Sequence, residues 1–366
     1  MVGGLLSADG VASGVVTTEH VMHRVPAAPP PAIARPYTVE CAYRLDDAER
    51  DQLYEVLDVD VNPYRDYGRF LERIRAIARD RVPDFFRAVC RDLAARDIHA
   101  QPVLYLQNCP IDREVPVLDY EDPLTSKHAQ KRTFVAEAFL AVISELLGTT
   151  VVGYRTANRG DMFHDIHPMR ALAHTPSQKT VDTIHFHADI PNNKVRPDWV
   201  YLLSMRNSRR NRVYTTFVRL ADVLASLDEP LKELLRQPLY YAPHETVHVH
   251  GGQADGFTPL KPMLLSERGH TFLAYFENNT RSDVREGREA LIALNTILHR
   301  LSTPLFLDVR DFVAVSNNTC MHGRKVEEVT DPEAHRNRWL LKTWNVDRIE
   351  DHAAHLLPGR IHTSDE

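Results

Sequence analysis

The sequence predicts a mainly β core covered by a helical N-terminal layer, an α+β fold class. Between residues 45 and 97, apolar residues recur at every third or fourth position, which is typical of amphipathic helices. From residue 149 onward, short β-branched and aromatic runs alternate with turn residues, which is typical of an all-β sandwich or barrel. A chain of 366 residues, 43% hydrophobic and 26% charged, is long enough to bury a sizeable core.

The chain is expected to begin with a flexible arm, residues 1–36, which ends in the proline-rich stretch VPAAPPPAIARP. Residues 37–366 are expected to form a single domain. Its helical layer covers about 45–147, where Asp46 supplies an N-cap and Pro83 interrupts the helical pattern. Within this layer a strand is predicted over 102–107 and a long helix over 127–147, closed by Gly148.

The β core is expected to occupy about residues 100–348. The predicted strands after the helical layer are 149–154, 183–187, 199–203, 212–218, 245–249, 270–275 and 312–315. Two helical inserts, 220–236 and 285–301, interrupt them.

Composition excludes several functional classes. A net charge of −6 and a pI near 6.3 give no sign of a nucleic-acid surface. No run of about 18 apolar residues is present, so we expect no membrane span. The N-terminus lacks the basic and apolar regions of a signal peptide. The four cysteines are dispersed without a CxxC pair, which predicts reduced thiols in a cytoplasmic protein. The sequence does not indicate the oligomeric state.

A candidate metal site is suggested by His187-Ala188-Asp189 together with a distant His322. Two imidazoles and one carboxylate hold non-haem Fe(II) with coordination positions left open. Residues i and i+2 of a strand share a face, so His187 and Asp189 can reach one ion. His185 cannot join both, since positions i and i+4 stand about 13 Å apart. The three-ligand chemistry favours His187 with Asp189, which leaves His185 either as a neighbour that supports the ligands or as a pocket wall.

Several short motifs accompany this pair in a fixed order. In chain order they are Asp165-Ile166-His167-Pro168, Gln178, His187-Ala188-Asp189, Arg196-Pro197-Asp198, Asn317, His322-Gly323-Arg324 and Arg338-Trp339-Leu340-Leu341-Lys342. Together they resemble the Fe(II)/2-oxoglutarate-dependent oxygenases of the taurine dioxygenase superfamily, and within it the clavaminate synthase-like amino-acid oxygenases. The resemblance covers about residues 100–348. One departure is Lys342, which stands where relatives usually have a second arginine.

The resemblance implies a double-stranded β-helix (jelly-roll) core with flanking helices. It also implies that Fe(II), held by His187, Asp189 and His322, works with 2-oxoglutarate and O2 to oxidise a C–H bond, releasing succinate and CO2. The substrate is then a small molecule, an amino acid or an amino-acid-derived natural-product intermediate. Because the carboxylate ligand is present, hydroxylation or a related oxidation is expected rather than halogenation.

A permanently charged, bidentate partner is expected for the far carboxylate of 2-oxoglutarate, which guanidinium supplies. Arg338 is the first candidate, and Arg336, two strand positions away, is the second. By resemblance a threonine also binds that carboxylate, and Thr216 is preferred to Thr215. Five further residues are expected to contact substrate: Asp165, Gln178, His185, Glu277 and Asp283.

Two alternative functions remain open. His244-Glu245-Thr246-Val247-His248 matches the HExxH pattern of zinc peptidases, which requires a helix. Pro243 and the β-branched residues inside the pattern favour a strand instead, where the two histidines stand about 13 Å apart. The other alternative is a jelly-roll protein that binds a metal or ligand without catalysis.

Overall fold

The computed structural model describes residues 35–243, 256–267 and 270–364. Nearly all of the expected arm and the whole HExxH segment lie outside the described residues. The division into an arm, 1–36, and one domain, 37–366, therefore stays a prediction.

Helices form the predicted N-terminal layer and the two inserts. The layer contains α1 (Asp47–Leu57), α2 (Tyr67–Asp80), α3 (Asp84–Ala94), α4 (Pro123–Gln130) and α5 (Val135–Leu147), and the later helices are α6 (Leu220–Ser226), α7 (Glu229–Arg236), α8 (Arg285–Arg300) and α9 (Pro332–Arg336). Asp46 caps α1 through a reciprocal capping box with Glu49, as its position predicts. Among the described residues, no helix is long and apolar enough to cross a membrane.

Strands dominate the rest of the described chain. They are β1 (Tyr43–Arg44), β2 (Val103–Gln107), β3 (Thr150–Tyr154), β4 (His164–Ile166), β5 (Ile184–His187), β6 (Trp199–Arg206), β7 (Arg212–Arg219), β8 (Leu264–Glu267), β9 (His270–Leu273), β10 (Thr303–Leu305), β11 (Phe312–Ser316), β12 (Cys320–Glu328), β13 (Trp339–Val346) and β14 (Thr363–Ser364).

These strands form two sheets that pack against each other. The large sheet has the order β1-β2-β11-β6-β13-β3-β14, with β4 also paired to β13, and the small sheet has the order β10-β7-β12-β5. A third pair, β8 and β9, forms a hairpin. Apolar side chains from both sheets fill the space between them, including Val200 and Leu202 of β6 and Phe217 of β7. This is the sandwich that the alternation of short apolar runs predicts.

The large sheet is buried on both faces. Successive residues of β6 show this, because Val200 and Leu202 face the small sheet while Tyr201 and Leu203 face the helical layer. Helices α1, α2, α3 and α5 cover that second face. On the small sheet, α6, α7 and α8 cover the outer face around Phe186 and Val218. Because both faces of the large sheet are buried, its strands consist of nearly continuous runs of apolar residues.

The single helix predicted over 127–147 is two helices in the structure. The helix ends after α4 because backbone and side-chain donors at the break form hydrogen bonds with the buried carboxylate of Asp112. It accepts hydrogen bonds from the backbone N–H of Val135 and Ala136, from the Thr133 hydroxyl at 2.7 Å and from Lys131. Lys131 also pairs with the buried Glu137 at 3.0 Å. Gly148 ends α5 in the left-handed conformation, φ 72°, as predicted.

We expect Asp112→Ala to destabilise the protein by about 3–5 kcal/mol, because it leaves the Lys131 ammonium buried without its closest partner. Asp66 is a matched control, since it caps α2 from an exposed position by accepting from the N–H of Arg69. Its replacement by alanine is expected to cost about 1 kcal/mol. Urea unfolding of the two variants measures both values, and equal losses would contradict the role given to Asp112.

Candidate metal centre and substrate cavity

The three predicted metal ligands come together at one end of the small sheet. Strands β5 and β12 pair so that His187 and His322 are direct cross-strand partners, and their ring centroids lie 4.5 Å apart. Cross-strand partners of an antiparallel pair share a face, so both imidazoles point the same way. Asp189 follows β5 immediately. All three side chains are buried, with ligand atoms within 4.8 Å of one another.

The atoms of these three residues that could bind one metal ion lie close together. Asp189 Oδ1 lies 3.2 Å from His187 Nε2 and 3.5 Å from His322 Nε2. The other ring nitrogen of His187, Nδ1, lies 2.8 Å from the carbonyl oxygen of His185. Donation from Nδ1 to this carbonyl leaves the Nε2 lone pair free for a metal, which is the usual support of a histidine ligand. The set therefore fits Fe(II) in both donor type and orientation.

The backbone of Asp189 is held by Asn317. The Asn317 amide accepts from the N–H of Asp189 at 2.8 Å and donates to the Asp189 and Pro197 carbonyl oxygens at 2.9 Å each. The next residue, Ile190, adopts φ 39°, a conformation that β-branched residues rarely take. Asn317 thus joins the turn after β5 to the turn before β12, and it fixes the carboxylate where the strand has already ended.

The second carboxylate oxygen of Asp189 is taken by groups on β13. Oδ2 accepts a hydrogen bond from Trp344 Nε1 at 2.6 Å and pairs with Lys342 Nζ at 3.0 Å. Lys342 and Trp344 are two residues apart and share the face of β13 that looks toward the small sheet. With Oδ2 occupied, only Oδ1 faces the two histidines. The carboxylate is therefore set to bind a metal through one oxygen, which keeps more coordination positions open.

Electrostatics keep the site ready for a cation. Burial by itself raises the pKa of Asp189, but the Lys342 ammonium, followed by the neighbouring His187 and His322 rings, outweighs it and holds the pKa well below its usual range. Burial, followed by the neighbouring His187, lowers the pKa of His322. The site thus presents an ionised carboxylate with at least one neutral imidazole near neutral pH, the protonation state that a metal requires.

A buried guanidinium lies in a small cavity beside these ligands. Arg338, just before β13, lines this cavity with Thr215, Leu340 and His322. It is 3% exposed, and burial lowers its pKa to about 10. Its Nε is buried without a hydrogen-bond partner, and among the described residues no carboxylate pairs with it. An unpaired buried charge is costly, so the cavity fits an anionic ligand.

Two of the sequence predictions for this cavity are wrong in their geometry. Arg336 does not share a strand face with Arg338, because it ends the short helix α9 and is exposed. Thr215, rather than Thr216, lines the cavity. Thr215 is the cross-strand partner of Arg324 and so faces the same way as His322, whereas Thr216 pairs with Gly323 on the opposite face.

The other residues of the His322-Gly323-Arg324 motif have structural contacts. A Cβ on Gly323 would lie 2.7 Å from the Ile184 carbonyl oxygen, so only glycine permits this approach of β12 to β5. The Arg324 guanidinium is buried and donates to the carbonyl oxygens of Thr180 and Asp182. It therefore holds the segment before β5, and it also lines the small cavity beside Arg338.

A larger cavity, of ≈ 440 Å³, opens on the other side of the ligands. His187, Asp189, Lys342 and Trp344 form its floor. The polar and charged residues around them on its walls are Glu121, Asp122, Asn158, Arg159, His164, Asp165, Gln178, Lys179 and Asn279. A volume of this size is typical of small-molecule sites.

The five predicted substrate residues divide into two groups. Gln178 lines both cavities and contacts Asp189 and Lys342. Asp165 lines the larger cavity, but its carboxylate pairs with the buried Lys127 at 2.7 Å and accepts from Trp339 Nε1 at 3.0 Å.

The remaining three predicted substrate residues do not line either cavity, which corrects those assignments. Asp283 accepts from the Tyr241 hydroxyl on the surface. His185 and Glu277 lie together at the outer edge of β5, where Glu277 accepts from the backbone N–H of Phe186. His185 does not share the direction of His187 because the register of β5 with β12 shifts between Ile184 and His187.

The sequence analysis missed two residues that bear on the ligands. Trp344 was not singled out, and Lys342 was noted only as a departure from the family pattern. Alternate positions after Arg338, namely Leu340, Lys342 and Trp344, lie on one face of a strand. This spacing in the sequence indicates that Lys342 and Trp344 point the same way.

Comparison with known proteins agrees with this geometry. No family model matches the chain. Clavaminate synthase 2 of Streptomyces clavuligerus is 24% identical over 268 residues, which are 72% of this chain and 79% of that protein. Asparagine oxygenase, solved with Fe(II), (2S,3S)-3-hydroxyasparagine and succinate, superposes with a TM-score of 0.75 at 18% identity, covering 88% of this chain and 98% of the other.

This chain has the fold of the non-haem iron oxygenases. A second solved structure, the non-haem iron oxygenase OrfP with iron, succinate and (3S)-hydroxy-L-arginine, gives a TM-score of 0.69 at 19% identity over 88% of this chain and 99% of that one. The similarity to clavaminate synthase and to these two oxygenases confirms the resemblance seen in the sequence. It also confirms the predicted jelly-roll core, which is the two-sheet sandwich of this oxygenase fold.

We expect Trp344→Phe to weaken Fe(II) or Co(II) binding by about 10–100-fold, because it removes the N–H that holds Asp189 Oδ2 while keeping an aromatic ring. Trp199→Phe is the matched control, since its indole N–H bonds to the more exposed Asp347 at 2.9 Å, away from the ligands. Metal titration followed by calorimetry compares the variants. Equal affinities for Trp344→Phe and Trp199→Phe would refute the role of Trp344.

Proposed function

We propose that this protein is an Fe(II)/2-oxoglutarate-dependent oxygenase. It hydroxylates, or otherwise oxidises, an unactivated C–H bond of an amino acid or an amino-acid-derived intermediate. The observation that carries the proposal is the position of Arg338, a buried guanidinium without a carboxylate partner among the described residues, beside two histidines and one aspartate. The three-ligand group fits a metal ion, and the neighbouring guanidinium fits the far carboxylate of a dicarboxylate.

Each residue has a distinct part in this proposal. His187 Nε2, Asp189 Oδ1 and His322 Nε2 hold Fe(II). Arg338 receives the far carboxylate of 2-oxoglutarate with its planar donors, and the Thr215 hydroxyl adds a further donor. With both bound, the iron and cosubstrate supply the activation of O2, and the cosubstrate leaves as succinate and CO2. Trp344 and Lys342 keep Asp189 in its one-oxygen orientation throughout.

The larger cavity supports an amino-acid substrate. It opens directly onto the metal ligands and carries charges of both signs, with Lys179 and Arg159 on one hand and Glu121 and Asp122 on the other. Walls of mixed charge suit a zwitterion. Asparagine oxygenase and OrfP, the two solved structures compared above, were solved with hydroxylated amino acids.

We also propose that the protein works in the cytoplasm. All four cysteines are free thiols in the structure. Cys90, Cys109 and Cys320 are buried, and burial raises the pKa of each thiol. Unpaired cysteines of this kind are typical of a reducing compartment.

The test of the proposed activity is Fe(II)-dependent conversion of 2-oxoglutarate to succinate, measured across the proteinogenic amino acids and their simple derivatives. We expect at least one compound to raise succinate formation and to gain one oxygen atom, or lose two hydrogens, by mass spectrometry. Asp189→Ala is expected to abolish both signals, because it removes the ligand that completes the iron site. Stimulation that survives this substitution would contradict the assignment of Asp189 as a metal ligand. No succinate with any compound would favour a binding protein without catalysis.

We expect Arg338→Met to raise the KM for 2-oxoglutarate by about 100-fold or more. Removing one partner of a buried, hydrogen-bonded charge pair costs about 2–5 kcal/mol, and 1.4 kcal/mol is tenfold in affinity. Arg336→Met is the control, since Arg336 is exposed two residues away and is expected to leave the KM unchanged. Steady-state kinetics with varied 2-oxoglutarate separates them, and an effect confined to Arg336→Met would assign the cosubstrate to the other arginine.

A further inference from the structure

A second group of metal-binding side chains lies at the outer edge of β5. His185, Glu277 and His299 offer ligand atoms that all lie within 4.8 Å of one another. The three come from different parts of the fold: β5, the segment after β9, and the last turn of α8. His185 is two strand residues from His187, so the group lies about 7 Å along the strand from the candidate iron centre.

The Glu277 carboxylate is the buried member of this group. The residue is 5% exposed, and its side chain contacts His299 Nε2 through Oε1 at 2.6 Å. Its Oε2 accepts from the N–H of Phe186 at 3.3 Å. Among the described residues, the only basic side chains within 4.0 Å of this carboxylate are the two histidines. A buried carboxylate needs a compensating positive charge, and no lysine or arginine in the described chain provides it here.

The His185 ring supplies a second indication. Its Nδ1 is buried and has no hydrogen-bond partner, although the rest of the side chain is partly exposed. It lies 3.7 Å from Glu277 Oε2, which is too far for a hydrogen bond. Two ligands of one tetrahedral zinc ion stand about 3.4 Å apart, given metal–ligand bonds of about 2.1 Å. The 3.7 Å between His185 Nδ1 and Glu277 Oε2 is therefore closer to the distance between two ligands of one metal ion than to a hydrogen-bond distance.

We infer that His185, Glu277 and His299 form a second divalent-cation site, with zinc as the preferred occupant. Two imidazoles and one carboxylate with a water molecule in the fourth position are an established zinc arrangement. His299 is exposed, so the ion enters from solvent and the fourth position faces water. To bind, the contact between Glu277 and His299 lengthens by less than about 1 Å, which the exposed histidine permits.

Such an ion connects three elements that meet around the candidate iron centre. Phe276 precedes Glu277, pairs with His187 across the edge of β5 and places its ring 5.0 Å from the His187 ring. Binding at the second site therefore fixes the 275–277 segment against the strand that carries His187. The site is separate from the iron ligands in every residue, and its existence does not depend on the proposed oxygenase activity.

The test is the zinc content of the full, tag-free chain after equilibrium dialysis against Zn²⁺ alone, measured by elemental analysis. Zinc is expected to enter both sites, since imidazole and carboxylate ligands accept it readily. We expect His299→Ala and Glu277→Gln each to bind one equivalent fewer than the wild-type chain. We expect His322→Ala also to lose one equivalent, and His299→Ala combined with His322→Ala to lose two.

A matched control is His174→Ala. His174 is an exposed histidine that pairs with the carboxylate of Asp182 at 2.9 Å, in a pair that belongs to neither three-ligand group. It is expected to keep the wild-type zinc content, and circular dichroism checks that every variant is folded. The inference is overturned if folded His299→Ala binds as much zinc as the wild type, or no less than His174→Ala. Loss with His299→Ala but not with His322→Ala would uphold this site and count against the iron centre instead.

Discussion

The structure depends on how one carboxylate is held. Asp189 stands beyond the end of β5, where the strand no longer dictates its direction, and its position is instead fixed at both ends. The Asn317 amide holds its backbone, while Trp344 and Lys342 hold one of its two oxygens. Only Oδ1 is left to face the two histidines. The packing of the two sheets brings Asn317, Lys342 and Trp344 into contact with this one residue.

This arrangement also explains the charge of the site. Asp189 contributes one buried negative charge. Buried positive charges line the same small cavity, from Lys342 on β13, Arg338 just before β13 and Arg324 on β12. A divalent cation makes the excess of positive charge larger. Burying such an excess is costly, and a dicarboxylate cosubstrate together with a substrate that carries a carboxylate reduces it. The site is therefore suited to anionic ligands that bind beside the metal.

Much of the fold was predictable, because hydrophobic periodicity reports it directly. The errors came where a single residue decides the outcome. The resemblance favoured Thr216, but a shift of one position turns a strand residue to the other face, and Thr215 is the residue that lines the cavity. Asp331 followed by Pro332 is a helix N-terminal signal, and it places Arg336 on α9 rather than on a strand. The break between α4 and α5 depends on Asp112, more than twenty residues away in the sequence, so local periodicity did not reveal it.

In the candidate site too, local sequence patterns predicted some of the residues, whereas contacts between distant parts of the chain determine the others. Spacing alone suggested His187 with Asp189, and a strand pairing that no local pattern specifies brings His322 opposite them. The contacts of Trp344 and Lys342 with Asp189 depend on the packing of one sheet against the other, which is a property of the whole chain. His185, which lies close in sequence to the ligands, points elsewhere because the register of β5 with β12 shifts between His187 and Ile184.

The most direct measurement of the central claim is an anaerobic crystal structure with Fe(II) and 2-oxoglutarate, with iron located by anomalous diffraction at its absorption edge. The account predicts one iron bound to His187 Nε2, His322 Nε2 and a single oxygen of Asp189, with Oδ2 still held by Trp344, and a cosubstrate carboxylate on Arg338. Iron bound away from these residues, or bound through both oxygens of Asp189, would contradict it.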